Sequence, residues 1–215
     1  DLGKEQVAKS AKEIKERIKP EDDVLIASSP KARARGSADI IRRELGVEEG
    51  GRILKSMRSV EVRDWAKARQ ILDEILGPGV GNNIPKVDKA YVSDPRFEMM
   101  PDVWEPKSNV EKRSMSGLGH LAGFMEKYRS EHQDRIPHLV AVSHFEFLNH
   151  IVRKLFDLDR DDADQLRTGE MIQITLLKGT EEGKKIPMMI TFRGQTKEVL
   201  FDNEKKAFEI LGEES

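Results

Sequence analysis

The 215-residue sequence contains no cysteine. That absence excludes disulfides, thiolate metal sites and a cysteine nucleophile together. Long apolar runs are missing as well: "DVLIAS" and "HLVAVS" are among the longest, far short of the roughly 20 residues a helix needs to cross a bilayer. The first residues are charged rather than signal-like, so the expected setting is cytoplasmic and reducing, with no membrane. Nor is there an excess of charge of one sign. With 37 Lys+Arg against 39 Asp+Glu the net charge is -2, so no overall field draws the protein onto nucleic acid, and any polyanion site must be local.

What is present fits one domain with a real core: 37% hydrophobic and 35% charged residues, no internal repeat, no low-complexity tract and no evident linker. Val7, Ala11, Ile14 and Ile18 recur at helical spacing before Pro20. "DVLIAS" (23–28) reads as a strand covered on both faces. Ala34, Ala38, Ile41 and Leu45 then predict a helix capped at Gly46. "RIL" (52–54) is a candidate strand, and Trp65, Ala68, Leu72 and Ile75 line a third helix. Residues 77–107 hold five of the nine prolines and show no helical period, which predicts a long loop or cap insertion.

Met115, Leu118, Ala122, Met125 and Tyr128 restore the helical stripe. "HLVAVS" (138–143) is the clearest buried strand, followed directly by the helix "FEFLNHIVRKLF". Residues 170–177 and 186–192 alternate like sheet strands around the polar turn "KGTEEGKK", and 203–211 reads as a closing helix. The interleaving predicts a single α/β domain over 1–215: a three-layer α/β/α arrangement with a mainly parallel central sheet and the 77–107 segment over the strand ends.

Two strand-to-helix turns concentrate the chemistry, "IASSPKARA" and "VAVSHFEF". Ligands of open α/β sheets bind beyond the carboxyl ends of strands, where helix N-termini offer unpaired N–H groups. A cation is disfavoured in the first turn of a helix, yet Arg33 sits there. Bidentate grip on a phosphate would account for the placement, and so would a solvated arginine on an exposed face. His144 opens a helix after a buried strand, a place that suits a catalytic imidazole and a capping or core histidine equally.

Taken together, "SSPKARARGSADII" resembles the Ser-Ser-Pro-x-x-Arg-Ala-x-x-(Thr/Ser)-Ala signature of the histidine phosphatase superfamily, which includes the cofactor-dependent phosphoglycerate mutases. "VAVSHFEF" resembles its second histidine motif, and "DLGKEQV" its Leu-x-x-x-Gly-x-x-Gln segment. The resemblance runs in order through most of residues 1–177. It implies a phosphomonoester phosphatase or phosphomutase working through phosphohistidine on a small phosphorylated substrate, with no metal and no other cofactor. Arg33, His144 and Ser29 would bind the phosphoryl group. His144 and Glu61 would be the catalytic residues, Glu61 as general acid 28 positions after Arg33.

Two departures qualify that picture. Phe145 and Glu146 follow His144 where the family generally has glycine, and no Arg-His pair occurs anywhere in the sequence. The family's Arg-His-Gly nucleophile strand is therefore expected upstream of Asp1. The alternative is a catalytically inactive relative that binds a phosphorylated ligand or a protein. Other motifs fail: Asp157, Asp159 and Asp161 have calcium-loop spacing, but Asp162 replaces the glycine and Thr168 the final glutamate. "GPGVGNN" follows a helix and leads into a proline-rich stretch, unlike a dinucleotide fingerprint.

Overall fold

The computed structural model describes residues 2–48, 50–156, 166–177 and 185–211. The candidate calcium spacing at 157–168 and the 178–184 turn fall largely or wholly outside the described residues.

Three strands form the parallel sheet that positions the site: β1 (Asp23–Ser28), β2 (Arg52–Ile53) and β3 (Pro137–Val142), in the order β2-β1-β3. β1 and β3 pair in register from Asp23 opposite Pro137 to Ser28 opposite Val142. Their carboxyl ends are therefore level, and the bond from the Ser29 N–H to the Val142 carbonyl (2.9 Å) ties the two following turns together.

Helices cover both faces, because successive strand residues point to opposite sides. Val140 and Val142 pack with Val7 and Ala11 of α1 (Leu2–Lys15) and Ala38 and Ile41 of α2 (Ala32–Leu45). Ala141 packs on the other side, against the cluster built by α6 (Lys107–Glu131) and α7 (Phe145–Leu155). This is the α/β architecture that the interleaved pattern predicts. α2 ends as its glycine suggests: Gly46 adopts φ 72, and the N–H groups of Gly46 and Val47 close on the carbonyls of Arg43 and Arg42.

Residues 77–107 depart from the expected loop. After α3 (Trp65–Leu76), the chain forms α4 (Ile84–Ser93) and α5 (Arg96–Met99). Three of the five prolines that looked like breakers mark helix starts instead. Pro85 lies in the first turn of α4, with the Asn83 side chain accepting from the Lys86 N–H, and Pro95 and Pro106 are the caps of α5 and α6. Proline is tolerated there because its missing N–H has no helical partner to lose. Ala90, Tyr91, Phe97, Val103 and Trp104 join Ala68 and Ile71 in a core of their own, with Phe97 and Trp104 stacked at 4.4 Å.

The second correction concerns the C-terminal part. β4 (Gln173–Leu176), β5 (Lys185–Phe192), β6 (Gln195–Asp202) and β7 (Ala207–Ile210) form an antiparallel sheet in that order. The predicted helix at 203–211 is a tight turn followed by β7. Asp202 Oδ1 accepts the N–H groups of Glu204 and Lys205, Lys206 takes φ 54, and Phe208 meets Phe201 at 5.4 Å. Cross-strand packing here overrides the helix propensity of a Glu/Lys/Ala-rich stretch. Ile186, Met188, Ile190 and Phe192 alternate inward from β5 and close the α6–α7 core.

Candidate functional site

β1 runs out at Ser28, Ser29 is wholly buried, and Lys31 caps α2 in an extended conformation without a side-chain cap bond. Arg33 follows in the first turn. On the neighbouring strand end, His144 caps α7, extended at φ -121 and ψ 158, and is 5% exposed. The register of β1 and β3 brings these turns together across 111 residues of sequence. Arg33 Nε donates to His144 Nδ1 at 3.1 Å, and His144 Nε2 lies 2.7 Å from Ser29 Oγ.

These contacts fix the imidazole. A guanidinium nitrogen can only donate, so Nδ1 is the acceptor and the ring proton is on Nε2. Ser29 Oγ therefore accepts twice, from His144 Nε2–H and from the Lys31 N–H at 3.3 Å. Burial, then Arg33, Lys31 and Arg113, push the His144 pKa down to about 4, so the ring is neutral near pH 7. Ser29 lies beneath the imidazole and sets its orientation. No carboxylate forms an ion pair with Arg33 among the described residues, and its Nε is bonded to the imidazole.

Arg33 and His144 share a cavity of about 820 Å³ with Asp88, Phe145 and Glu146. It extends along Leu139–Val142 of β3 to Ile172 and Ile174. β3 borders it because, among the described strands, β3 pairs with β1 alone. Glu146 receives the Ser59 hydroxyl at 3.2 Å on Oε1, while Oε2 is buried with no partner. Asp88, on α4, is pushed up to about 7 by burial and then by the Glu146 carboxylate, against the pull of Arg33.

Glu61 is placed elsewhere. Its half-exposed side chain pairs with Arg58 at 3.5 Å, and it is not among the residues lining the cavity. Arg58 links it to Glu105, which is 5% exposed and holds Arg113 through two bonds, Nε to Oε1 at 3.1 Å and Nη2 to Oε2 at 2.8 Å. Arg113 Nη1 also donates to the carbonyls of Ser56 and Arg58, so this network braces the 56–61 segment. The structure brings Arg33, His144 and Ser29 together, sets Glu61 apart from them, and adds Asp88 to the lining of the same cavity. Asp88 sits in a stretch read as loop, with no local pattern pointing to it.

A second cavity of about 440 Å³, lined by Arg35, Asp39 and Arg42 of α2 with Gly50, Gly51 and Ile53, involves neither His144 nor Arg33. Among the described residues no group of His, Asp and Glu is arranged to hold a metal ion, and no helix is long and apolar enough to cross a membrane.

Comparison with solved structures gives a mycobacterial glucosyl-3-phosphoglycerate phosphatase, 17% identical with a TM-score of 0.57 over 90% of this chain and 86% of that one. Two proteins described as mycobacterial hydrolase 1 and mycobacterial hydrolase 2 are each 18% identical, with TM-scores of 0.56 over 91% of this chain and 86% and 78% of theirs. At these identities the likeness is one of fold. A comparison with curated protein sequences finds no match. The model of the histidine phosphatase superfamily, branch 1, matches residues 1–190, and the chain belongs to that superfamily.

Proposed function

We propose that this chain is the phosphate-binding body of a phosphomonoester phosphatase or phosphomutase that works through a phosphohistidine, with Arg33 as principal phosphate ligand and His144 beside it. The observation that carries this reading is the 3.1 Å bond from Arg33 Nε to His144 Nδ1 at the level ends of β1 and β3. Membership of the superfamily and the likeness in fold to a glucosyl-3-phosphoglycerate phosphatase support phosphoryl chemistry in general.

A phosphoryl oxygen arriving at this point competes with His144 Nδ1 for the Arg33 N–H. The anion also offsets the cationic charge of Arg33, which helps to hold the imidazole neutral. Bound phosphate therefore raises the His144 pKa and lets the ring donate to a second oxygen. Ser29 acts through His144 by orienting the ring. The described contacts offer no support for Glu61 as general acid.

Phosphohistidine chemistry also requires a nucleophilic histidine in line with phosphorus. His120, His132, His138 and His150 do not line the cavity. The family resemblance puts that nucleophile upstream of residue 1.

The second reading, an inactive relative that binds a phosphorylated ligand or protein, is favoured by one observation: the Glu146 carboxylate lies in the cavity with a buried, unpartnered oxygen. Acid-quenched labelling with a phosphomonoester, followed by intact-mass measurement, separates the two. The 215-residue chain alone should neither turn over an aryl phosphate nor gain a covalent phosphate, whereas a chain extended upstream should do both, with an acid-labile, alkali-stable label. Turnover by the 215 residues alone, lost on His144→Ala, would make His144 the nucleophile. An extended chain that stays unlabelled would leave the binding reading.

A further inference from the structure

Asp88 and Glu146 reach the cavity from different elements, α4 and the first turn of α7, and share it with Arg33 and His144. An anion-binding pocket with two ionised carboxylates would oppose its own ligand. Burial and the Glu146 carboxylate push the Asp88 pKa up to about 7, which favours its neutral form. Glu146 Oε2 is buried without a donor, and an unsatisfied buried carboxylate oxygen is costly. Its other oxygen has only the Ser59 hydroxyl.

We propose, resting on the phosphate-site reading above, that Asp88 holds a proton in this cavity beside the Glu146 carboxylate and presents it to an oxygen of the phosphomonoester bound by Arg33. Asp88 is thus a substrate-binding proton donor that Glu146 poises. The charged and titratable groups facing Asp88 are Glu146 from α7, Arg33 from α2 and the neutral His144 at the head of α7. Arg17, Arg167 and Glu170 also line the cavity; Arg17 is bonded to Gln173, and Glu170 accepts from Arg193 and from the Arg167 N–H. No hydrogen bond contributes to the Asp88 shift, which comes from burial and then the Glu146 charge. The proton that Asp88 keeps is therefore available to a ligand.

The site consequently favours a tetrahedral dianion while Asp88 is protonated and disfavours it once that proton is lost. Sulfate is a suitable probe because it stays a dianion throughout the neutral range, so any pH dependence belongs to the protein. His144 is at about 4 without an anion and rises when one binds, so the part of the profile assigned to Asp88 is the part that Asp88→Asn removes. Sulfate affinity of the 215-residue chain, measured by calorimetry from about pH 5.5 to 8.5, should fall above neutrality by up to about tenfold per pH unit. Asp88→Asn, which keeps a neutral donor, should flatten the profile at the high-affinity end. Glu146→Gln, which removes the charge that raises Asp88, should move the fall to lower pH.

Carboxyl-carbon NMR titration of Asp88 gives a second readout independent of any ligand, and should show a midpoint near neutrality that drops in Glu146→Gln. A flat wild-type profile, or one that Asp88→Asn leaves unchanged, overturns the proposal. So does an Asp88 resonance that titrates in the ordinary carboxylate range. Arg33→Ala separates this failure from that of the underlying reading: if sulfate affinity is indifferent to Arg33 at every pH, the phosphate site itself is misplaced.

Discussion

Arg33 and His144 stand 111 residues apart in the chain and 3.1 Å apart in space, Nε to Nδ1. The contact makes Nδ1 an acceptor and so places the ring proton on Nε2, above the buried Ser29 hydroxyl oxygen. One strand register, β1 against β3, produces the whole arrangement.

Ser29→Ala should remove the acceptor of a buried imidazole N–H. The expected loss of stability is about 1–3 kcal/mol, read from urea denaturation. Nitrogen-15 shifts of His144 in the wild type should report the Nε2–H tautomer. A wild-type ring carrying its proton on Nδ1 would contradict the assigned bond with Arg33.

The stability of the protein should depend on Asp88 with a definite sign. Its folded pKa is raised from 3.8 to about 7, so between those values the folded state holds a proton that the unfolded state has released. The contribution is fully favourable below about pH 3.8 and is lost as pH rises to 7. Asp88→Asn should therefore match the wild type near pH 4 and exceed it at pH 8, by on the order of 1 kcal/mol. Denaturation midpoints at both pH values check this, and a variant that is less stable than wild type at pH 8 would refute it.

Glu105→Ala should be among the most damaging single changes. Glu105 is 5% exposed and bonds Arg113 bidentately, while Arg113 also braces the carbonyls of Ser56 and Arg58. Removing one partner leaves a buried cation unpaired, at a cost of about 3–5 kcal/mol. Thermal unfolding of the variant tests it, and a change under about 1 kcal/mol would show the pair to be solvent-screened.

Much of the architecture could be read from the sequence because it is encoded locally. The apolar stripes of α1, α2, α3, α6 and α7 and the short runs of β1 and β3 announce their elements by period. The cap was misread because Pro85, Pro95 and Pro106 were counted against helices, although each stands at or beside a helix start. β7 was misread because its pairing with β6 is worth more than the helix propensity of "EKKAFEIL".

The site divides in the same way. Arg33, Ser29 and His144 belong to two compact turns with recognisable spacing, and the sheet brings those turns together. Glu61 was placed by counting from Arg33, but its segment is bound to Trp104 and Glu105 of the cap connection, which directs the side chain to Arg58. Asp88 carries no signal in its own neighbourhood. It comes to the cavity only through the packing of α4 against α7.

Inorganic phosphate titrated into the 215-residue chain by calorimetry decides whether Arg33 holds phosphate. Binding should be weak but measurable and should drop at least about tenfold, or about 1.4 kcal/mol, in Arg33→Ala. Arg35→Ala, two positions along the same helix and lining the other cavity, should bind nearly as the wild type does. Equal phosphate affinity in the wild type and Arg33→Ala would contradict the assignment of this cleft as the phosphate site.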